Sequence, residues 1–297
     1  MKKSLFIFLI LLYVSSFSQK IYLVTDVEYP VLKTAREGFL LELNKNFDSV
    51  KVEFFDKINE NIDSFRKKSA SEPPDMIVSF GNSATQILID EKNDIPILFC
   101  MVTSHEQLNI PSGKKKLLNG VIYQIPYKDM FVYLSSLLGS NIEISTVYSV
   151  ENFASQINEI WKIAQDYQIP FTAYPVQNSR MVIRVLRKIK ENSLFWLLPD
   201  NNIYDYNVIA DVFKYLNKNK IKILSPSEIH LNMEYHADIA IVADPEKNGQ
   251  QAALLLQDCL RNNQQGKIEK PKSVICYLKR GIQVNTDHLT IPIKWID

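Results

Sequence analysis

From residue 20 onward, short runs of apolar and β-branched residues alternate with segments of helical length, and this alternation restricts the chain to a narrow set of folds. The runs are apolar almost throughout: IPILFCMV from Ile95 and LFWLL from Leu194 show no polar alternation. Strands covered by helices on both faces have that character, whereas half-solvated antiparallel strands alternate. The intervening segments, including Pro30 to Asn46, Asn152 to Tyr167, Ser179 to Lys190 and Asn248 to Asn263, carry helical patterns. In the second of these, Ile157, Ile160, Trp161 and Ala164 recur at three- and four-residue spacing, which predicts one buried stripe with Trp161 in it.

So many strands exceed one comfortable sheet, and a chain of 297 residues exceeds one comfortable core. The predicted architecture is therefore α/β, with two doubly wound parallel-sheet lobes and a cleft between them. Ser104 to Gly120 is the longest interval without helical period and is the expected first passage between lobes. The late helix then returns the chain to the first lobe. The expected division is 1–18 as a leader, 19–119 with about 246–274 as the N-terminal lobe, and 120–245 with about 275–297 as the C-terminal lobe.

The leader is read from Lys2 and Lys3, the apolar run Leu5 to Val14, and the small residues Ser16 and Ser18. That pattern predicts a secretory signal peptide cut near Ser18/Gln19, and its apolar run is too short for an ordinary membrane-spanning helix. The expected location is periplasmic, as a free protein without a lipid-accepting Cys and without stable membrane insertion after cleavage. A formal net charge of +1 gives no electrostatic case for nucleic acid. Lys114 to Lys116 follow Pro-Ser-Gly and read as a solvated loop. Cys100, Cys259 and Cys276 have apolar neighbours, which favours buried thiols over a disulfide framework. No Gly-rich phosphate fingerprint occurs, and no cofactor or metal is expected.

Ligand crevices in parallel α/β sheets lie at the carboxyl ends of strands, so the residues just after each strand are the informative ones. They include Thr25-Asp26, Gly81-Asn82-Ser83, Thr103-Ser104-His105, Glu151-Asn152, Asp200-Asn201-Asn202, Ser225-Pro226-Ser227 and Asp244-Pro245. Each of these side-chain types also serves as a helix N-cap. Together they would surround a small polar ligand with hydroxyls, amides and helix N-termini that favour a carboxylate. Asp26, Asp200 and Asp244 would complement an ammonium, so an amino-acid-like zwitterion suits the set. Tyr29, Tyr123, Phe153 and Tyr204 lie near predicted rims, and Tyr123 and Phe153 are the first choices for stacking on a flat ligand.

The stretches VSFGNSATQIL, IPILFCMVTSHEQL, NGVIYQIPYKDMFVYLSSLLGSNIEISTVYSVEN, LLPDNNIY, NGQQAALLLQDCL and IQVNTDHLTIPI, in that order, span almost all of the chain after its leader. In order and spacing the sequence resembles the ABC-transporter substrate-binding proteins of type I periplasmic-binding fold, the group that includes tryptophan- and tyrosine-type binding proteins. The resemblance implies a two-lobed receptor that closes on a small molecule and presents it to a membrane permease; the protein is expected to be a monomer. It places ligand contacts at Asn82, Ser83, Thr103, Ser104, Asn152, Asp200 and Asn201, with Asp26 and Asp244 beside them. The chain departs from the family pattern at Ser104-His105, where Asp-Pro is usual, and at ADPEKNGQQ before the late helix.

Catalysis finds little support. The histidines 105, 230, 236 and 288 form no HExxH, and no GxSxG elbow is present. The open alternative is an exported ligand sensor that signals to a membrane or envelope partner without transport.

Overall fold

A computed structural model describes residues 19–27, 29–46, 50–91, 93–103, 108–262 and 265–297; the segment expected to be a leader, Ser104 and His105 lie outside them. The chain forms two compact units. Unit 1 takes the described residues up to Gln124 together with Pro245–Lys272, and unit 2 takes Ile125–Asp244 and Ser273–Asp297.

Unit 1 is built on a sheet in the order β11-β5-β4-β3-β1-β2, every described pair parallel. Its strands are β1 (Gln19–Thr25), β2 (Val50–Phe55), β3 (Met76–Phe80), β4 (Ile97–Val102), β5 (Leu118–Ile122) and the short β11 (Ile268–Glu269). Its helices are α1 (Pro30–Asn46), α2 (Ile58–Ser71), α3 (Asn82–Asp90) and α8 (Pro245–Asn262). Alternate residues of one strand feed two cores, as the pleat requires. Ile21, Leu23, Val78, Leu98 and Cys100 join Phe39, Leu43, Leu255 and Leu256 of α1 and α8. Tyr22, Val24, Ile77 and Phe99 join Ile58, Phe65 and Leu88 of α2 and α3. That double burial is why the inner strands β3 and β4 are apolar almost throughout, whereas the edge strand β2, VKVEFF, is not.

Helix α8 lies against α1 at backbone distance. A Cβ built on Gly249 would stand 1.8 Å from the Ala35 carbonyl oxygen, and one on Gly38 would stand 2.3 Å from that of Glu246. Ala35, Ala252 and Ala253 complete this crossing of small residues.

Unit 2 carries a sheet in the order β13-β12-β10-β9-β8-β6-β7, in which only β10 and β12 pair antiparallel among the described pairs. The strands are β6 (Ile144–Ser149), β7 (Phe171–Val176), β8 (Leu194–Trp196), β9 (Lys222–Ser225), β10 (Ile239–Ala243), β12 (Val274–Lys279) and β13 (Ile293–Ile296). The helices are α4 (Tyr127–Leu138), α5 (Val150–Asp166), α6 (Val182–Leu186) and α7 (Tyr206–Lys218). One core joins Ile144, Trp196, Leu224, Ile241 and Cys276 to Phe131 and Leu134 of α4 and to Phe153, Ile157 and Ile160 of α5.

Four expectations change. The strand near Gly120, assigned to the C-terminal lobe, pairs with β4 in unit 1, Gly120 facing Phe99, so the first passage follows Gln124. Ser104 to Gly120 misled because a 3-10 turn, Ser112–Leu117, interrupts the periodicity inside the unit. Trp161 is half exposed at 50%, since it sits about 100° past Ile160 and off the stripe Phe153, Ile157, Ile160, Ala164. The helix expected at Ser179 to Lys190 is a 3-10 turn, Ser179–Met181, followed by the short α6. Lys114 is not solvated: it is half buried, and its ammonium donates to the carbonyls of Ile89 (2.8 Å) and Glu91, the open C-terminal end of α3.

Candidate functional site

Each sheet reverses its strand order once. In unit 1 the chain runs from β1 outward to β2, then returns to the other side of β1 with β3, β4 and β5. In unit 2 it runs from β6 to β7, then to β8, β9 and β10 on the other side. The switch points therefore fall between β1 and β3 and between β6 and β8, where the connecting loops part and leave a crevice at the strand carboxyl ends.

The unit 1 switch point carries a hollow of about 360 Å³ whose lining includes Asp26, Tyr29, Leu32, Phe80, Asn82, Ser83, Met101, Thr103 and Tyr123. Asp26 follows β1, Asn82 and Ser83 follow β3, Thr103 follows β4, and Tyr123 follows β5, so four neighbouring strands contribute. The sequence-predicted residues Asp26, Asn82, Ser83, Thr103 and Tyr123 are thus brought together. A larger hollow of about 780 Å³ lies in unit 2 beside Ile142 and Lys222, at the opposite, amino ends of the strands. Placement, not size, separates the two.

The polar side chains at the first hollow are held rather than loose. Ser83 Oγ donates to Asp26 Oδ2 at 2.5 Å, and Asp26 Oδ1 accepts from the Asn59 N–H of α2 at 3.3 Å. Asn82 Oδ1 accepts from the Thr103 N–H at 2.9 Å. Gly81 begins the turn at φ 88°, a conformation that L side chains rarely adopt, and no side chain caps α3. Asn82 is therefore no helix cap. The residue types selected at strand ends are explained here by bracing around a crevice, with the first turn of α3 directed at it.

Below this rim the floor is apolar, made by Leu32, Phe80 and Met101. Met101 was not singled out by sequence reasoning. It occupies a bulge in β4, where the register against β5 shifts between Cys100 and Val102, and its φ is 61°. A left-handed Met is uncommon, and a bulge at a strand end re-aims the side chain. No sequence signal marks it, because the bulge arises from pairing and not from turn residues.

The unit 2 edge is arranged differently. Asn152 and Asn201 are exposed, and Asp244 is half buried at the end of β10 with its N–H donating to Ser273 O at 3.0 Å. Asp200 is only 1% exposed: Oδ2 accepts from the Ser149 N–H at 2.7 Å and Oδ1 from the Asn202 N–H at 3.2 Å. Its carboxylate ties the β8 loop to the end of β6 instead of facing outward. Phe153 lies in the core at 3% exposure because its place on α5 continues the buried stripe, and Tyr204 is likewise buried, its hydroxyl donating to Val147 O. Asp205, not Asn202, caps the following helix, accepting from the Val208 N–H at 2.9 Å. Val150 directly after β6, Tyr206 at the start of α7 and Ile229 in the turn after β9 stand exposed, and Ser149 Oγ is buried without a partner among the described residues.

The cysteines are free and buried; burial pushes Cys259 up to about 11, Cys276 up to about 12 and Cys100 further, so the thiols stay protonated. Among the described residues no group of three His, Cys, Asp or Glu side chains could hold a metal ion, and no helix is long and apolar enough to cross a membrane.

His230 Nδ1 meets Ser225 Oγ at 2.6 Å, and burial lowers its pKa below 6.5. The unfolded chain then binds the proton more readily, so stability is lost as pH falls through 6.5 toward the lower folded value. Chemical denaturation midpoints are expected to decline across that window, and His230→Gln is expected to flatten the decline; an unchanged slope would refute the assignment. Glu72, held down to about 2 by its bonds to Lys20 and Lys68, adds its own loss only below 4.5.

Two α/β units, each doubly wound about a switch point, define a periplasmic-binding-protein type of fold, and comparison with solved structures agrees. A ligand-free, open substrate-binding protein with adhesive properties from Clostridium difficile matches with a TM-score of 0.71 at 17% identity, covering 94% of this chain and 100% of that one. The ABC domain from Streptococcus pneumonia in complex with L-Trp matches with a TM-score of 0.61 at 17% identity, covering 92% and 96%. A conserved domain protein from Vibrio cholerae matches with a TM-score of 0.60 at 19% identity, covering 93% and 96%. No curated protein matches the sequence. The family described as ABC transporter substrate binding protein matches residues 20–278, and the chain belongs to that family. The earlier resemblance is thereby established.

Proposed function

We propose that this substrate-binding protein takes an amino-acid-like ligand with an apolar or flat body, seated on the floor of Leu32, Phe80 and Met101 with its polar head among Asp26, Asn82, Ser83 and Thr103. The observation that carries this reading is the pairing, in one hollow of about 360 Å³, of an apolar floor with braced polar groups from adjacent strand ends. Ligand sites combine those two elements, and this volume suits a small molecule. The L-Trp bound to the Streptococcus neighbour supports the class. In this reading the protein is a non-enzymatic monomer, exported by its leader, which delivers its ligand to an ABC permease.

A thermal-shift screen of the chain from Gln19 against the L-amino acids is expected to find at least one that raises the unfolding midpoint, since a ligand at a hundred times its Kd adds about 2.7 kcal/mol. Asp26→Asn keeps the side chain's volume but removes its charge. It is expected to abolish that shift while leaving the unliganded midpoint within about one degree, because half-exposed hydrogen bonds contribute little net stability. No shift with any amino acid would sink the ligand class; a shift that survives Asp26→Asn would sink the site.

A further inference from the structure

The chain passes between units after Gln124, Asp244 and Lys272. All three passages meet the first turns of α8 within unit 1. Pro245, the first residue of α8, follows the second passage directly. Asn248, 2% exposed, donates from Nδ2 to Ile122 O at 3.0 Å, two residues before the first passage. Gln251, 6% exposed, accepts at Oε1 from the Lys272 N–H at 3.0 Å and donates from Nε2 to Lys270 O at 2.9 Å, at the third passage; Nε2 also reaches Glu269 Oε2 at 2.8 Å. Asn248 and Gln251 stand three residues apart and therefore share one helix face.

Buried side-chain amides are costly unless fully bonded, and these two bond chiefly to the segments that leave the unit. The helix that carries them has no freedom of its own, because Gly249, between them, brings α8 to backbone distance from α1. Asn248 also reaches behind the ligand hollow: Cys100 Sγ donates to its Oδ1 at 3.2 Å, and Met101 of the floor is the next residue.

We propose that Asn248 and Gln251 are a clasp that fixes the unit 1 ends of all three connections as one body and links that body to the strand forming the floor of the hollow. Freedom is then left to the residues outside this body, after Gln124, before Pro245 and after Lys272, as hinge motion requires a few residues to absorb the change. Through Cys100, displacement of the β4 bulge reaches the same body. The inference does not depend on which ligand binds.

Amide hydrogen exchange on the chain from Gln19 tests it, with Gln251→Met and Asn248→Leu as variants that conserve volume and remove the bonds. Each is expected to speed exchange about tenfold at its own passage and also at the far one: residues 122–126 in Gln251→Met, residues 270–274 in Asn248→Leu. Exchange in the middle of α1 and in β1 is expected to stay at the wild-type rate. Acceleration confined to the variant's own contact would overturn the clasp, as would a uniform acceleration through unit 1. Should Asn248→Leu fail to fold, Gln251→Met decides alone through residues 122–126.

Discussion

Gly249→Ala is expected to destabilise unit 1 by on the order of 3–5 kcal/mol and to lower its unfolding midpoint by roughly 10 °C. Intrinsic propensity argues the opposite sign, since alanine inside a helix is favoured over glycine by about 1 kcal/mol. Sterics decide the matter. The added methyl would lie 1.8 Å from the Ala35 carbonyl oxygen and 2.9 Å from the Phe39 nitrogen, both backbone atoms of α1 that no rotamer change can move. The helices must separate by more than an ångström, and Gly38 against Glu246 would be opened by the same motion. Phe39, Leu43, Leu255 and Leu256 then lose close packing along the whole face, a cavity cost added to the overlap. Denaturant titration followed by circular dichroism measures the change. A variant within about 1 kcal/mol of wild type would show that the crossing can relax and that backbone contact is not what holds α8.

The sequence raised the expectation that the late helix returns the chain to the first lobe, but not how closely α8 approaches α1. Periodicity marks which face of a helix is buried, and glycine within a helix marks a reason for its absence of side chain without naming the partner. The same limit runs through the site. Strand ends were legible because apolar runs stop abruptly, so Asp26, Asn82, Ser83, Thr103 and Tyr123 were found at the edge that the parallel sheet creates. Met101 was not, since its left-handed bulge depends on the register of β4 against β5, a pairing between segments far apart in sequence. The boundary near Gly120 failed for a related reason: a strand's sheet is decided by its partner, and β5 reads the same whichever sheet receives it. Trp161 was misplaced by one position on the helical wheel, where a single step of 100° separates core from solvent.

Asp200 presents the sharpest division between a residue type and its use. LLPDNNIY reads as a strand that ends in a polar wall, yet the carboxylate is turned inward and both oxygens accept from backbone N–H groups, at Ser149 and Asn202. Asp200→Ala is therefore expected to lower the unliganded stability by about 2–4 kcal/mol, because it strands the buried Ser149 N–H at the end of β6, where Ser149 Oγ already lacks a partner among the described residues. The backbone bonds from Ile203 and Tyr204 to the Asp200 carbonyl survive the substitution, so the loop keeps its turn and the loss is that of the carboxylate alone. Asp200→Asn, which retains one accepting oxygen, is expected to fall between alanine and wild type. Asp26→Asn gives the opposite pattern, ligand response lost with stability kept. Unfolding midpoints of the two variants, with and without the amino acid found by screening, separate the roles. An unchanged unliganded midpoint in Asp200→Ala, together with a lost ligand shift, would return Asp200 to the binding surface and require the β8 loop to turn outward when ligand binds.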